Sequence, residues 1–177
     1  MAFGGYVAFS VYLPTYLKNG YGLAQADASN RMAGFVLLAV VMRPTGGWLS
    51  DRFGPVPVLT VVFGIVGIAA AIQAATPGLI PLGTIAFLTM AGALGAGAGA
   101  VFALVAQRSP AGSVGSVTGV VGAAGGLGGF VPPLLMGSIY GRSSSYGLGL
   151  ALLSVVAFAA TAYALTVVRR PAVAVPA

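Results

Sequence analysis

The chain has 177 residues, 58% of them hydrophobic and 6% charged, with eight Lys+Arg against two Asp+Glu and neither Cys nor His; its mean hydropathy is +1.01. A soluble domain carries roughly a quarter charged residues, so most of this surface cannot face water, and lipid is the consistent solvent. Disulfides, thiolate and imidazole chemistry and nearly every metal site are excluded, and the basic residues are too scattered for a nucleic-acid surface.

Two acids, Asp27 and Asp51, stand far apart beside loop-like sequence. Paired-carboxylate catalysis therefore has no support, and no enzyme activity, cofactor or metal is expected.

Six apolar runs follow one another between short polar or Pro/Gly breaks. The first, Met1 to Leu17, ends at Lys18-Asn19-Gly20. Met32 to Leu49 is the second, closed by Ser50-Asp51-Arg52. Val56 to Ala75 precedes Thr76-Pro77-Gly78, and Leu79 to Ala106 precedes Gln107-Arg108. The fifth is Val114 to Ile139, ended by Tyr140-Gly141-Arg142; the sixth is Tyr146 to Val168, closed by Arg169-Arg170. Each is near or above the ~20 residues that span hydrocarbon as a helix. The expected fold is all-α, with six transmembrane helices over residues 1–170 and a short tail over 171–177. No alternating lipid-in, lumen-out pattern suggests a β-barrel.

An even number of spans puts both termini on one side. Arg52, Arg108, Arg169 and Arg170 fall there, against Lys18, Arg31 and Arg142 opposite, so the C-terminus is expected in the cytoplasm of a cell membrane. Met1 opens directly into an apolar run without a basic or polar flank, unlike a signal peptide. Such a start reads as that of a cut chain.

Arg43 lies inside the second run, about 9 Å of helix rise from its Leu49 end. An intramembrane Arg costs roughly 2.5–3.5 kcal/mol on insertion scales and needs compensation. No acid in the chain is placed to supply it, so an anion that comes and goes is the favoured partner. The bland alternative is a guanidinium that snorkels to the interface. Pro44 frees the carbonyl of Val40, and Gly46 and Gly47 permit close approach, as where a helix meets a neighbour or a wet cavity.

Glycine is the second signal. Gly115, Gly119, Gly122, Gly126 and Gly129 recur at steps of four and three on one helical face, thickened by Gly125 and Gly128. Gly92, Gly95 and Gly99 line a face of the fourth run, with Gly97 beside them. Such stripes bring backbones together, whether for plain packing or along a sliding face or substrate path. Pro132-Pro133 follows the fifth-run stripe, an expected bend.

Gly47-Trp48-Leu49-Ser50-Asp51-Arg52-Phe53-Gly54 is, at its plainest, a charged loop capping two spans. It also resembles the G-x-x-x-D-R-x-G signature of the major facilitator superfamily, although Pro55 and Val56 stand where a basic pair usually follows. With Arg43-Pro44-Thr45-Gly46-Gly47, the segment looks like the eighth helix of that superfamily's nitrate/nitrite porters. Phe3-Gly4-Gly5-Tyr6-Val7-Ala8-Phe9-Ser10 resembles their seventh helix, and Gly95-Ala96-Gly97-Ala98-Gly99-Ala100-Val101-Phe102 their tenth. Gly119-Val120-Val121-Gly122-Ala123-Ala124-Gly125-Gly126-Leu127-Gly128-Gly129-Phe130, followed by Pro132, resembles the glycine-rich signature of their eleventh. The resemblance covers nearly the whole chain as helices seven to twelve.

It implies one half of a major facilitator fold, carrying nitrate or nitrite by alternating access with an N-terminal six-helix half. Arg43 would be one of two arginines gripping the anion, and Phe3 an aromatic packed on it. Gly119 and Gly122 would be backbone positions beside it, though some relatives carry Ser in place of the latter. Gly47, Asp51, Arg52 and Gly54 would form a conformational gate. A tyrosine of the pattern falls one turn ahead of Phe3, before Met1. Other readings remain: a carrier of other small anions or drugs, a six-span scaffold, or a second-copy assembly in which Arg43 from each subunit rings a pore.

Overall fold

A computed structural model of the chain describes residues 1–110, 112–143 and 145–168. The tail expected over 171–177 and the Arg169-Arg170 pair used for orientation lie outside the described residues.

Six long helices follow in order: α1 Ala2–Tyr21, α2 Gln25–Phe53, α3 Pro55–Ala74, α4 Thr84–Arg108, α5 Val114–Ser143 and α6 Gly147–Tyr163. One wide turn, Leu79–Gly83, leads into α4, and another, Ala164–Val168, continues α6. No strand occurs among the described residues. The described architecture is all-α, and it is consistent with the expected half of a major facilitator fold.

Five of the six helices are long and apolar enough to cross a membrane. The exception is α1, which carries Tyr6, Tyr12, Tyr16, Tyr21, Pro14 and Lys18. It packs on α2, α4 and α5, burying Leu13, Tyr16 and Leu17 among others.

Local chemistry sets the helix ends. Gly22, in the left-handed region at φ 68°, closes α1, its N–H donating to the Lys18 carbonyl at 3.0 Å. This bond from the residue after the helix end is the αL cap, and the Leu23 N–H reaches the Leu17 carbonyl at 3.4 Å beside it. Gly54 joins α2 to α3 at φ 86°, ψ 147°, a backbone region open essentially to glycine alone. Pro55 then starts α3 where its missing N–H costs nothing.

The second helix begins at Gln25, seven residues before the expected Met32. Ala24 is its N-cap and Asp27 sits in the first turn, where a carboxylate complements the helix dipole. Both acids thus belong to α2, Asp51 in its last turn, rather than to loops. Apolar periodicity could not register this polar extension. Neither Pro44 nor the Pro132-Pro133 pair interrupts its helix.

Two glycine seams organise the core. Along α2–α4, a methyl added to Gly95 would strike the Ala39 carbonyl, one on Gly99 the Arg43 carbonyl, and one on Gly46 the Ala96 carbonyl. The α-hydrogens there point at carbonyl oxygens, a contact only glycine permits. Along α1–α5, a methyl on Gly4 would meet Gly128 and the Gly125 carbonyl at 3.0 and 3.1 Å, and one on Gly129 the side chain of Val7 at 2.6 Å. Gly97 faces the other way, towards Val62 and Ala2. On the outer side, Ser154 of α6 donates to the Gly67 carbonyl of α3 at 2.8 Å.

Candidate functional site

Arg43 sits midway along α2. Its backbone carbonyl is pinned on Gly99 of α4, which fixes where the side chain begins. The guanidinium then extends over α1, with Cζ 4.6 Å from the Tyr6 ring centroid and 5.7 Å from that of Phe3. Phe3 and Tyr6, three residues apart, share one face of α1. Phe3 is held in turn by an edge contact to Phe102 of α4, centroids 6.2 Å apart, and by the bare backbone of Gly125, where any methyl would strike its ring. Arg43 of α2 therefore lies against α1 and α4, and α5 supports it through Phe3.

Arg43 is partly buried. Arg43 Nε is buried without a hydrogen-bond partner, and Arg43 makes no ion pair among the described residues. Asp27 and Asp51 lie on the same helix, roughly 24 and 12 Å along its axis. Two aromatic faces supply the compensation, each worth about 0.5–2 kcal/mol depending on desolvation. That is less than a carboxylate would give.

The structure brings Phe3 to Arg43 as expected. Gly119 and Gly122 are placed differently: nothing lies within 4 Å of a methyl built on either, nor on Gly115 or Gly126. Gly129 alone of the described α5 residues is buried. The expected single stripe thus divides. Gly129, at its edge, joins Gly125 and Gly128 against α1, while Gly115, Gly119, Gly122 and Gly126 leave an open face.

The four residues expected to form a gate lie in the last turns of α2 and at its C-cap. Gly54 makes the turn, and Gly47 lends its backbone to the contact with Gly99. Arg52 lies over the rings of Trp48 and Phe53, 5.9 and 5.6 Å from their centroids. Asp51 is exposed and makes no ion pair among the described residues, so the pairing across a helix end implied by the resemblance is not formed within this unit.

Two features escaped the sequence reading. Tyr6 was part of a quoted motif but had no role. At the opposite end from Asp51, Tyr16, Tyr140 and Tyr146 form a ring cluster, with Tyr140 stacked on Tyr146 at 4.3 Å. Nearby, fully buried Gln73 donates to the Gly83 carbonyl at 2.7 Å and accepts from the Tyr21 hydroxyl at 3.3 Å. A cavity of about 330 Å³ between α1, α5 and α6 and a shallower one of about 630 Å³ between α2, α3 and α4 are both apolar, and neither includes Arg43.

Long apolar helices, with a partly buried arginine that has no acidic partner among the described residues, define a multi-pass membrane protein. The family model described as Major Facilitator Superfamily matches residues 1–177. The chain belongs to the major facilitator superfamily, a family of transporters rather than enzymes.

Among similar proteins, the probable nitrate/nitrite transporter NarK2 of Mycobacterium tuberculosis is 48% identical over 172 residues, covering 97% of this chain and 44% of the relative. The nitrite extrusion protein of Bacillus subtilis is 40% identical over 164 residues, covering 90% and 40%. The probable nitrate transporter NarT of Staphylococcus haemolyticus is 39% identical over 159 residues, covering 88% and 40%. These names bear out the resemblance to the nitrate/nitrite porters. The chain spans less than half the length of these relatives.

Proposed function

We propose that this chain is the C-terminal six-helix half of a nitrate/nitrite transporter that works by alternating access with an N-terminal half. The carrying observation is Arg43: a cation held in the middle of a span by two aromatic faces, with a buried Nε and no carboxylate partner. A small planar oxyanion satisfies such a group and can leave again, which a resident Asp could not do. The names of the relatives point to the same substrates.

The open face of α5 supports the half-transporter reading. Gly119 and Gly122 meet nothing within this unit, so a second half can approach their backbone and enclose the anion near the bilayer midplane. Asp51, exposed and without an ion pair among the described residues, is free to engage that half as the gate closes, with Gly47, Arg52 and Gly54 shaping its turn. The C-terminus is assigned to the cytoplasmic side of the cell membrane, by the basic residues near that end.

The test is labelled nitrate uptake into proteoliposomes containing the chain alone, or the chain joined to an N-terminal porter half. Saturable uptake that requires both halves is expected. Equal uptake by the chain alone would replace this reading with that of a homo-oligomeric pathway.

A further inference from the structure

We infer that Tyr6 is a positioning residue of the anion site, its ring setting the orientation in which Arg43 presents its guanidinium. This rests on the reading of Arg43 as the anion-binding group.

The argument begins with what a long side chain needs. A guanidinium recognises an oxyanion through two parallel N–H donors, and the fork works only if its plane is held. In most sites a carboxylate or a carbonyl does the holding. Here Nε has no hydrogen-bond partner, so no hydrogen bond at that atom fixes the plane. The Tyr6 ring lies much nearer to Cζ, at 4.6 Å, than the Phe3 ring at 5.7 Å, a separation close to the limit of useful cation–π attraction. Phe3 is also engaged elsewhere, against Phe102 and Gly125. The division of labour follows: Phe3 closes the floor between α1, α4 and α5, while Tyr6 holds the cation.

A ring is well suited to this position. It attracts the cation without neutralising it, so the arginine stays available to an incoming anion, whereas an acid at the same place would compete with substrate. The Tyr6 hydroxyl makes no hydrogen bond among the described residues, so the ring face, not the phenol oxygen, carries the role.

The experiment compares Tyr6→Phe, Tyr6→Leu and Arg43→Gln in the chain joined to its N-terminal half, with saturable nitrate uptake measured in proteoliposomes. Protein amount is matched, and size exclusion and circular dichroism report folding. Tyr6→Phe should leave KM within twofold of the parent. Tyr6→Leu should raise KM about tenfold with maximal rate and folded amount preserved, because the arginine remains but is no longer oriented. Either of two results overturns the proposal: unchanged KM in Tyr6→Leu, or a KM in Tyr6→Phe raised as far as in the leucine variant, which would assign the effect to the hydroxyl. A Tyr6→Leu variant that loses maximal rate or folded protein at constant KM would mark the residue as structural and also overturn it. Normal uptake by Arg43→Gln would instead remove the anion site itself, a failure distinct from that of Tyr6.

Discussion

The two glycine seams of this molecule use the same residue for different ends. Along α2–α4, glycines meet carbonyls: Gly95 on Ala39, Gly99 on Arg43, Gly46 on Ala96. Backbone faces backbone there, and neither side can yield without moving a whole helix. Along α1–α5, Gly125 receives the ring of Phe3 and Gly129 the side chain of Val7. Where backbones do meet, a methyl on Gly4 would stand 3.0 Å from Gly128 instead of overlapping it, so this seam is the softer one. Beside it lies a glycine face with no neighbour within 4 Å among the described residues. The rigid seam sets the position of Arg43. The soft seam carries the aromatic that packs against it and the helix that a second half would meet.

The comparison can be broken at its hard end first. Gly46→Ala places a methyl on the Ala96 carbonyl, which forces α2 from α4. A cost of about 3 kcal/mol or more is expected, at the upper end of overpacking penalties. Thermal unfolding of the purified protein in detergent reads it directly. An unshifted midpoint would show that the seam is not close-packed.

A smaller effect belongs to the soft seam. Gly125→Ala should cost roughly 1–2 kcal/mol, since the Phe3 ring can turn aside. Its consequence for binding should exceed its consequence for folding, because Phe3 then leaves Arg43. Nitrate affinity that falls only in proportion to stability would sever that link.

The smallest folding effect is expected at Gly122. Nothing stands near a methyl there, and alanine is the better helix former by up to about 1 kcal/mol. Gly122→Ala should therefore leave the midpoint level or slightly raised. Gly122→Leu, in the joined transporter, should insert normally yet abolish uptake by filling the space against the second half. Full uptake by the leucine variant would turn the open α5 face from a substrate path into ordinary lipid-facing surface.

Much of this was legible in the sequence, for reasons that differ by residue. Hydropathy located the membrane helices, because lipid imposes length and apolarity together. Arg43 stood out because a charge inside such a run is costly. The start of α2 was not legible, since residues 25–31 are mostly polar, and the buried Ala28 and the Asp27 of the first turn hold them in the helix beyond the apolar boundary. The glycine spacing on α5 identified a face but not its neighbours, so the split between Gly125, Gly128 and Gly129 on one side and Gly119 and Gly122 on the other needed three dimensions. Tyr6 and the Gln73–Tyr21 pairing were invisible for the same reason. Their partners lie on other helices, and a tyrosine in an apolar run looks like any other aromatic.

The central claim is that Arg43 binds the anion through the geometry of its guanidinium and not through charge alone. Arg43→Lys keeps the charge but replaces a planar fork with a point. Labelled nitrate uptake by the joined transporter, at matched protein amount, should show most of the affinity lost while folded protein is unchanged. Near-equal affinity in the lysine variant would contradict the account, because a snorkelling cation is served about as well by either side chain.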